Sequence, residues 1–329
     1  MDSLVSVIIP TYKRAPYIKR AIQTVINQTY SNVELIIVDD NGEGTVAQKE
    51  TEESIKDFIG LENILYIKHA KNLGGSAARN TGIKSCHGEY ITFLDDDDFF
   101  IENRFDRIIK YMKNENVKIA YSACIFLWNG RIKNVRGVPP GEDPMLDMLC
   151  VRSFMGTGSN MVFHKSIFEK ILFDESFSRH QDFEFMLRAL EIEHNRIGYD
   201  DYPSVIKEMF SSSNIPNPTA YLQIKQKYLD TFSRLINTLY ADHKNEIFWS
   251  NYVECYKTII LSHDKDTKKF VKDKIKEYGS FTILNSIVLF MRQKILSSKV
   301  FGSIIVSLYS CFQKCKIEKN IKKYIKKIV

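Results

Sequence analysis

The sequence predicts an α/β fold, in which a doubly wound sheet is followed by a mainly helical C-terminal region. Over roughly the first 100 residues, short apolar segments alternate with helical ones, which is typical of parallel strands joined by helical crossovers. The segment 90–94 is apolar or β-branched throughout and runs directly into four consecutive aspartates, as a buried strand does when it ends at a ligand site. From Tyr221 onwards helical spacing dominates. These observations favour a sheet domain followed by helices.

The elements of the sheet are predicted from hydrophobic periodicity. Apolar clusters mark strands, whereas apolar residues that recur every three or four positions mark amphipathic helices. Pro16 stands where the first turn of a helix tolerates proline, and Pro10 is expected to end the first strand because it has no N–H to donate. The predicted strands are 4–9, 34–38, 64–67 and 90–94, and the predicted helices between them are 16–26, 45–58 and 76–85.

Beyond residue 103 the pattern is looser. Helices are predicted at 104–113 and 182–192, one or two strands within 117–127, a turn at 129–130 and a loop that enters a strand within 154–163. The segment 211–218 is polar and contains two prolines, so it is predicted to be a linker. We therefore expect one domain over 1–210, with halves 1–100 and 101–210, and a second region over 211–329.

Charge is distributed unevenly along the chain. The formal net charge is +6, to which residues 291–329 contribute +9 and residues 1–290 contribute −3. A basic end predicts an anionic partner. A membrane surface fits, because the apolar stretches 281–291 and 300–312 are too short to span a bilayer but suit an interfacial helix. Packing against the rest of the chain or against a second copy, as a homo-oligomer, stays an equal alternative, and nucleic acid is not expected because no binding module is recognisable.

Four loops follow successive predicted strands and should meet at one edge of the sheet. They are 10–14, 39–41, 72–79 and 95–98, and they supply an aromatic ring, hydrogen-bond acceptors, backbone amides with an arginine, and carboxylates. Such groups suit the base, ribose and diphosphate of a nucleotide. Adjacent carboxylates repel one another unless a cation joins them, and hard oxygen ligands predict Mg²⁺ or Mn²⁺. The alternative is a solvated acidic turn in which Asp98 caps the next helix.

Several segments, in matching order and spacing, resemble family 2 glycosyltransferases of the GT-A fold. They are 5–14 (VSVIIPTYKR), 28–30 (QTY), 34–40 (ELIIVDD), 72–74 (NLG), 78–80 (ARN) and 88–98 (GEYITFLDDDD). The resemblance covers roughly the first 210 residues. It implies a GT-A type doubly wound mixed sheet, in which a Rossmann-like nucleotide-binding half at 1–100 and an acceptor half at 101–210 form one catalytic domain. The helical, basic region 211–329 lies outside the resemblance.

The resemblance also implies roles for residues on the four loops. Tyr12 would stack on uracil, and Asp40, together with Asp39, would accept hydrogen bonds from the base. Asp97 and Asp95 match the D-x-D motif and would bind Mn²⁺ or Mg²⁺, which would neutralise the leaving UDP. The implied nucleotide-binding residues are Pro10, Thr11, Tyr12, Arg14, Asp39, Asp40, Asn72, Gly74, Arg79, Asp95 and Asp96.

The resemblance extends to the helix predicted at 182–192. Family members carry a Glu-Asp pair where this helix begins, and Asp182 matches the second member, the catalytic base of inverting relatives. Gln181 replaces the first member, so one negative charge is lost. Asp182 could also be a helix N-cap without a catalytic role. Further residues are assigned to the pocket for the acceptor or donor sugar, namely Gly158, Ser159, His180 and Gln181.

The function implied is inverting transfer of a sugar from a UDP-sugar to a glycan or lipid-linked acceptor in bacterial surface polysaccharide synthesis. Scattered cysteines and the absence of an export signal before the first strand predict a cytoplasmic location, with peripheral binding to the inner face of the plasma membrane through 281–329. Two alternatives stay open. A nucleotidyltransferase on a similar fold should show a Gly/Lys-rich loop after the first strand, and a silent nucleotide-sugar-binding scaffold should lack the aspartates. The pattern does not identify the sugar.

Overall fold

The computed structural model describes residues 2–128, 131–152, 157–209, 217–260 and 262–279. These residues fall into two compact units. The first unit runs to Met145 and resumes after Arg152, whereas the second contains Leu146–Arg152 together with the described residues from 217 onwards. The sequence did not reveal that the short segment Leu146–Arg152 groups with the helical unit.

The first unit begins with four parallel strands and three helices. Strand β1 lies between β2 and β4, and β3 pairs with the outer side of β2, so the order is β3-β2-β1-β4. Parallel strands bring their carboxyl ends to one edge, and the predicted loops follow β1, β2, β3 and β4 there. The elements are β1 Val5–Thr11, α1 Ala15–Ile26, β2 Val33–Asp39, α2 Val46–Ile55, β3 Ile64–Lys68, α3 Gly75–Ser85 and β4 Tyr90–Phe93.

The sheet then continues with strands of mixed direction. Strand β8 pairs antiparallel with β4 and with β6, β9 runs parallel to β6, and β5 and β7 pair antiparallel with β9 and β6. The predicted mixed α/β sheet is therefore confirmed, although strands β5 and β9 were not predicted from the sequence. The elements are β5 Asp98–Phe100, α4 Arg104–Glu115, β6 Ile119–Trp128, β7 Arg131–Arg136, α5 Pro144–Leu149, β8 Met161–His164, α6 Gln181–Ile192 and β9 Gly198–Met209.

Hydrophobic burial holds the helices on the sheet. The predicted apolar face of α1 is buried, with Ile18, Ala21 and Ile22 fully inaccessible, and it packs into one cluster with residues of β1 and β2 such as Val7 and Ile37. Burial of one such aliphatic side chain contributes about 1.5–3 kcal/mol. The orientation of this helix therefore follows from its periodicity.

Pro10 lies inside β1, so the prediction that it ends the strand is wrong. The Leu94 N–H donates to the carbonyl of Ile8, which places the backbone polar groups of Ile8 on the β4 side. Backbone groups alternate along a strand, so Pro10 faces the same side, where β4 has already ended at Phe93. The missing N–H of Pro10 therefore removes no hydrogen bond from the ladder.

A buried arginine joins α4 to the sheet. Arg104 is fully buried, and its Nη1 donates to Ser122 Oγ (2.8 Å) and Ser204 Oγ (2.7 Å), while Nη2 donates to the Ser159 carbonyl (3.4 Å). Burial lowers the pKa of Arg104 to about 9. The Phe100 ring, 4.7 Å from the guanidinium carbon, adds a cation–π contact.

Replacement of Arg104 by Ala should destabilise the protein strongly. The substitution leaves a cavity and removes hydrogen bonds from a fully buried site, so we expect the free energy of unfolding in urea to fall by about 3 kcal/mol. Lys110→Ala is the matched control on the same helix, because that residue is exposed, which predicts a change of about 0.5 kcal/mol at most. Equal losses in the two variants would contradict this account of Arg104.

The second unit is helical where it is described, as predicted. Asn217 caps α7 by accepting from the Ala220 N–H, and Pro218 occupies the first turn, so the end of the predicted linker belongs to a helix. No helix in the described ranges is long and apolar enough to cross a membrane. The remainder of the linker, the turn at 129–130 and the stretch 281–329 lie outside the described residues. The helices are α7 Pro218–Thr231, α8 Ser233–Thr238, α9 Lys244–Ile259 and α10 Lys265–Tyr278.

Candidate active site

A cavity of about 460 Å³ opens at the edge where β1, β2 and β4 end. The four predicted loops all contribute to its wall, and Lys207 reaches it from β9. Most of the residues assigned to nucleotide or metal binding are therefore brought together. The lining residues are Pro10, Thr11, Tyr12, Arg14, Asp40, Asn72, Gly74, Gly75, Ala78, Arg79, Asp95, Asp96, Asp97 and Lys207.

Tyr12 presents an aromatic ring at this cavity. Its side chain is 43% exposed, and the Lys13 ammonium lies 5.0 Å from the ring centroid. Lys13 adopts a left-handed backbone with φ of 56°, and its N–H donates to Asn41 Oδ1 (2.7 Å), which ties this loop to the one after β2. The ring thus has an accessible face, and stacking on a base stays a prediction.

Asp40 organises the loop at 72–74. Its carboxylate oxygens accept from Asn72 Nδ2 (2.7 Å), the Leu73 N–H (2.8 Å) and the Gly74 N–H (2.8 Å), and Oδ1 also lies 2.7 Å from His69 Nδ1. A carboxylate offers about four acceptor positions, so these contacts occupy them all. The geometry favours a positioning role over the predicted hydrogen bond to a base.

Asp39 does not line the cavity. Its side chain is fully buried and accepts from the Asn41 N–H (2.9 Å) and from the Tyr66 hydroxyl (2.7 Å). The geometry therefore favours a structural role for Asp39, in which it stabilises the loop after β2. The resemblance implied that Asp39 joins Asp40 at the base, because the two adjacent aspartates at the strand end look alike in the sequence.

The aspartates that face the cavity are paired with basic or hydroxyl side chains. Arg79 Nη2 donates to Asp95 Oδ1 (2.9 Å), Arg14 Nη1 lies 3.3 Å from Asp97 Oδ2, and Thr11 donates to Asp96 (2.7 Å). Burial raises the pKa of Asp97, and it raises that of Asp96 to about 7. For Asp95 the charges of Lys207 and Arg79 outweigh burial and hold its pKa below the ordinary value.

Asp98 is a buried part of the sheet, so its interpretation as a solvated helix cap is wrong. It begins β5 directly opposite Lys207 of β9, and its oxygens accept from Ser159 Oγ (2.7 Å) and lie 3.3 Å from the Lys207 ammonium. Burial raises the pKa of Asp98 to about 7. The ion pair with Lys207 stabilises the Asp98 carboxylate, whereas solvent would stabilise the carboxylate of an exposed helix cap.

Asp182 lies in the first turn of α6, whose N-cap residue is His180, so Asp182 is not the cap. Gly158 lies against its carboxylate, since a Cβ placed on Gly158 would come within 2.6 Å of Asp182 Oδ2. Burial raises the pKa of Asp182, Arg79 opposes that effect, and Asp95 adds to it. A partly desolvated carboxylate beside the acidic run is suited to accept a proton.

The four residues assigned to the sugar pocket lie beside Asp182 and the acidic run, but they do not line the cavity. Gln181 Oε1 accepts from Arg79 Nη1 (2.9 Å), and Ser159 Oγ accepts from the Asp95 N–H (3.1 Å). His180 has a left-handed backbone with φ of 60°, and its ring meets Phe183 edge-on. Gln181 and Ser159 thus position residues of the cavity wall, and contact with sugar stays a prediction for all four.

Lys207 is the charged residue of the site that the sequence analysis missed. Burial would lower its pKa, but Asp98 and Asp95 outweigh burial and raise it. The sequence signal that could have revealed Lys207 is the apolar pair Val205 and Ile206, which directly precedes it. Both of these side chains are fully buried. Because Pro203 precedes them, the segment did not read as a strand.

The catalytic role that the resemblance implies for Asp182 predicts that replacement of Gly158 by Ala impairs turnover more than it impairs nucleotide binding. The new methyl group would force the Asp182 carboxylate aside, and a misplacement of about 1 Å costs on the order of 100-fold in rate. We expect kcat to fall by about that factor, while UDP affinity, measured by calorimetry, changes less than about threefold. An unchanged kcat would show that the position of Asp182 does not matter for the reaction.

The comparison with family models decides the family. The model described as glycosyl transferase family 2 matches residues 6–172, about half of the chain. The chain belongs to this family. An uncharacterized glycosyltransferase of Methanocaldococcus jannaschii is 29% identical over 265 residues, which cover 79% of this chain and 86% of that protein. Glycosyltransferase GlyA of Streptococcus pneumoniae is 34% identical over 127 residues, 37% of this chain but only 17% of GlyA.

Solved structures place this family 2 glycosyltransferase in the predicted GT-A type fold. S. aureus TarS 1–349 in complex with UDP-GlcNAc aligns with a TM-score of 0.61 and 18% identity, over 84% of this chain and 80% of that chain. The mannosyltransferase PcManGT from Pyrobaculum calidifontis in complex with GDP-Man and Mn²⁺ aligns with a TM-score of 0.55 and 14% identity, over 97% and 88%. At these identities the similarity shows the fold alone.

Proposed function

We propose that this glycosyltransferase moves a sugar from a UDP-sugar to a hydroxyl group of a glycan or lipid-linked acceptor, with inversion at the anomeric carbon. The observation that carries the proposal is the position of Arg79, which bridges the two halves of the site. Its guanidinium donates to Asp95 of the acidic run and to Gln181, the neighbour of Asp182. The groups that would bind the diphosphate and the group that would activate the acceptor therefore meet at one point.

The donor would lie across the ends of the strands. The exposed ring of Tyr12 would stack on the base, and the loop held by Asp40 would fit against the nucleoside. Arg14 and Arg79 line the same cavity and would hydrogen-bond the diphosphate, since guanidinium groups bind phosphate oxygens well. UDP is the proposed nucleotide, and TarS, which was solved with UDP-GlcNAc, supports it by analogy of fold.

A divalent cation fits the carboxylates at the cavity. Among the described residues no group of three or more His, Cys, Asp or Glu side chains could hold a metal ion by itself. Magnesium, however, is commonly held by one or two carboxylates plus substrate phosphates, and Asp95 and Asp97 provide two at the place where the diphosphate would lie. Burial and the charge of Asp95 raise the pKa of Asp97, an energetic cost that a cation would relieve. When bound, Mn²⁺ or Mg²⁺ would stabilise the negative charge of the leaving UDP.

Asp182 would act as the general base. Its carboxylate would take the proton of the acceptor hydroxyl while that oxygen attacks the anomeric carbon from the face opposite UDP. The bond between the anomeric carbon and the diphosphate oxygen breaks in the same step, and its electron pair leaves with UDP. Arg79 and Lys207 contribute positive charge beside Asp95, where negative charge develops on the leaving group.

The activity should depend on pH through Asp182. Only the deprotonated carboxylate can accept the proton, and burial raises its pKa. The active fraction should therefore fall at a higher pH than the value of about 3.9 for an ordinary aspartate. We expect kcat/KM to decrease on acidification with a midpoint above about 4, and we expect the residual activity of Asp182→Asn to lack this limb. Both profiles are measured at saturating Mn²⁺, which keeps Asp97 ionised although burial raises its pKa. A wild-type profile that stays flat to about pH 4 would contradict the role of Asp182.

The acceptor and the location are proposed from the sequence. A glycan or lipid-linked acceptor of surface polysaccharide synthesis would bind the half at 101–210. The basic stretch 281–329 would attach the enzyme to the inner face of the plasma membrane, and assembly as a homo-oligomer is the alternative use of that stretch. Sedimentation of the full chain with anionic or neutral vesicles separates the two, since membrane attachment predicts binding to the anionic vesicles only.

The donor is tested by UDP release from a panel of UDP-sugars, with Mn²⁺ and with EDTA. GDP-mannose belongs in the panel because PcManGT was solved with it. We expect slow hydrolysis of one UDP-sugar even without acceptor, and we expect EDTA to abolish it. If GDP-mannose were the only donor hydrolysed, the proposed nucleotide would be GDP instead of UDP. A donor that raises the melting temperature without being hydrolysed would favour the silent nucleotide-sugar-binding scaffold. If no donor reacted or raised the melting temperature, the donor would be another nucleotide sugar or the site would be silent.

A further inference from the structure

Lys207 lies between a buried carboxylate and one that faces the cavity. Its ammonium is 3.3 Å from both oxygens of Asp98, 3.5 Å from Thr157 Oγ1 and 3.7 Å from Asp95 Oδ2. The side chain of Asp98 is fully buried, whereas that of Asp95 is 27% exposed. The Asp98 contacts are therefore shorter and more shielded from solvent than the Asp95 contact.

This difference fixes Lys207 in place. Removal of the cation from Asp98 would leave a buried carboxylate without a counter-ion, which is strongly unfavourable. The contact with Asp95 is longer and more solvated, so it is the one that can change when a ligand binds. Lys207 is therefore held in place by the buried Asp98 and presents its positive charge to the cavity.

Both carboxylates proposed to bind the metal already have basic partners. Asp95 faces Lys207 and Arg79, and Asp97 faces Arg14 at 3.3 Å. A divalent cation at Asp95 and Asp97 would lie close to these positive charges and be repelled by them. A diphosphate reverses this effect, because its oxygens accept from the basic groups and add negative charge around the metal.

We propose that Lys207 couples metal binding to donor binding, as a fixed counter-ion that keeps the acidic run from holding a divalent cation tightly until a diphosphate arrives. The inference rests on the proposed function, in which the donor is a nucleotide sugar. By thermodynamic linkage, the factor by which the diphosphate tightens metal binding equals the factor by which the metal tightens diphosphate binding. Lys207 is thus a positioning residue that acts through Asp95.

The test measures Mn²⁺ affinity by calorimetry, with and without UDP or GDP. Lys207→Met alone would leave the buried Asp98 without a counter-ion, so it is combined with Asp98→Asn, which removes both charges and keeps the net charge constant. Lys19→Gln is the control, because Lys19 is an exposed lysine of the same unit paired with Asp57. Melting temperatures establish that each variant is folded.

In the wild type we expect nucleotide to tighten Mn²⁺ binding by more than about tenfold. In the double variant we expect Mn²⁺ alone to bind about tenfold more tightly than in the wild type, UDP alone to bind more weakly, and the coupling factor to fall. Lys19→Gln should behave as the wild type. An unchanged or weaker affinity of the folded double variant for Mn²⁺ alone would overturn the proposal. If neither nucleotide binds, the proposed function fails, while the comparison with Mn²⁺ alone still decides the role of Lys207.

Discussion

Replacement of Asp182 by Asn is expected to lower kcat by about 10³-fold, within the range of 10²–10⁴ typical for loss of a general base. Asn keeps the size of the side chain, so the contact with Gly158 and the start of α6 should persist. It cannot take the proton of an acceptor hydroxyl. UDP affinity should change less than about threefold, because Asp182 is proposed to act on the acceptor and not on the nucleotide.

The matched control for this variant is Glu191→Gln. Glu191 is an exposed carboxylate on the same helix, so its replacement removes the same charge without reaching the cavity. Turnover of Glu191→Gln should equal that of the wild type. If Asp182→Asn retained more than about a tenth of the wild-type kcat at saturating acceptor, Asp182 would not be the base, and another carboxylate of the acidic run would be the next candidate.

Replacement of Asp97 by Asn is expected to abolish metal-dependent hydrolysis of the donor, with a loss of about 10²-fold or more in kcat/KM. The substitution removes one of the two carboxylates proposed to hold the cation, and metal catalysis of this kind contributes several kcal/mol to stabilisation of the transition state. Mn²⁺ affinity in the presence of UDP should fall by at least about tenfold. Titration of UDP release against Mn²⁺ measures both effects.

Asp57→Asn serves as the control for Asp97→Asn. Asp57 is a surface aspartate, 61% exposed and paired with Lys19, so its loss changes the net charge equally but leaves the cavity intact. If UDP release by Asp97→Asn depended on Mn²⁺ with the same midpoint and the same rate as in the wild type, Asp97 would not belong to the proposed metal site. A loss of activity in both variants would indicate a general effect of charge.

The position of the site was predictable because it depends on topology. Apolar runs and amphipathic periods are local signals, and parallel strands then bring the segments after β1, β2, β3 and β4 to one edge whatever the details of packing. Tyr12, Arg79 and the acidic run follow from this argument alone. The mixed direction of the remaining strands was implied by the resemblance to the family, not by hydrophobic patterns.

The internal contacts of the site were not predictable, because they join segments far apart in the chain. Lys207 meets Asp98 across 109 positions, through a strand that Pro203 obscured. The burial of Asp98 could not be predicted from four consecutive aspartates. The donors around Asp40 occupy a carboxylate that the resemblance to the family assigned to the base. Pro10 shows the same limit, since its effect on a strand depends on where the neighbouring strand ends.

The anomeric configuration of the product tests the central claim most directly. With the donor that reacts in the panel and an acceptor that supports turnover, ¹H NMR of the first-formed product distinguishes the two anomers. Attack from the face opposite UDP, with Asp182 as base, predicts that an α-linked donor gives a β-linked product. A product that is α-linked from the first turnover would mean retention, and it would contradict both the proposed mechanism and the role of Asp182.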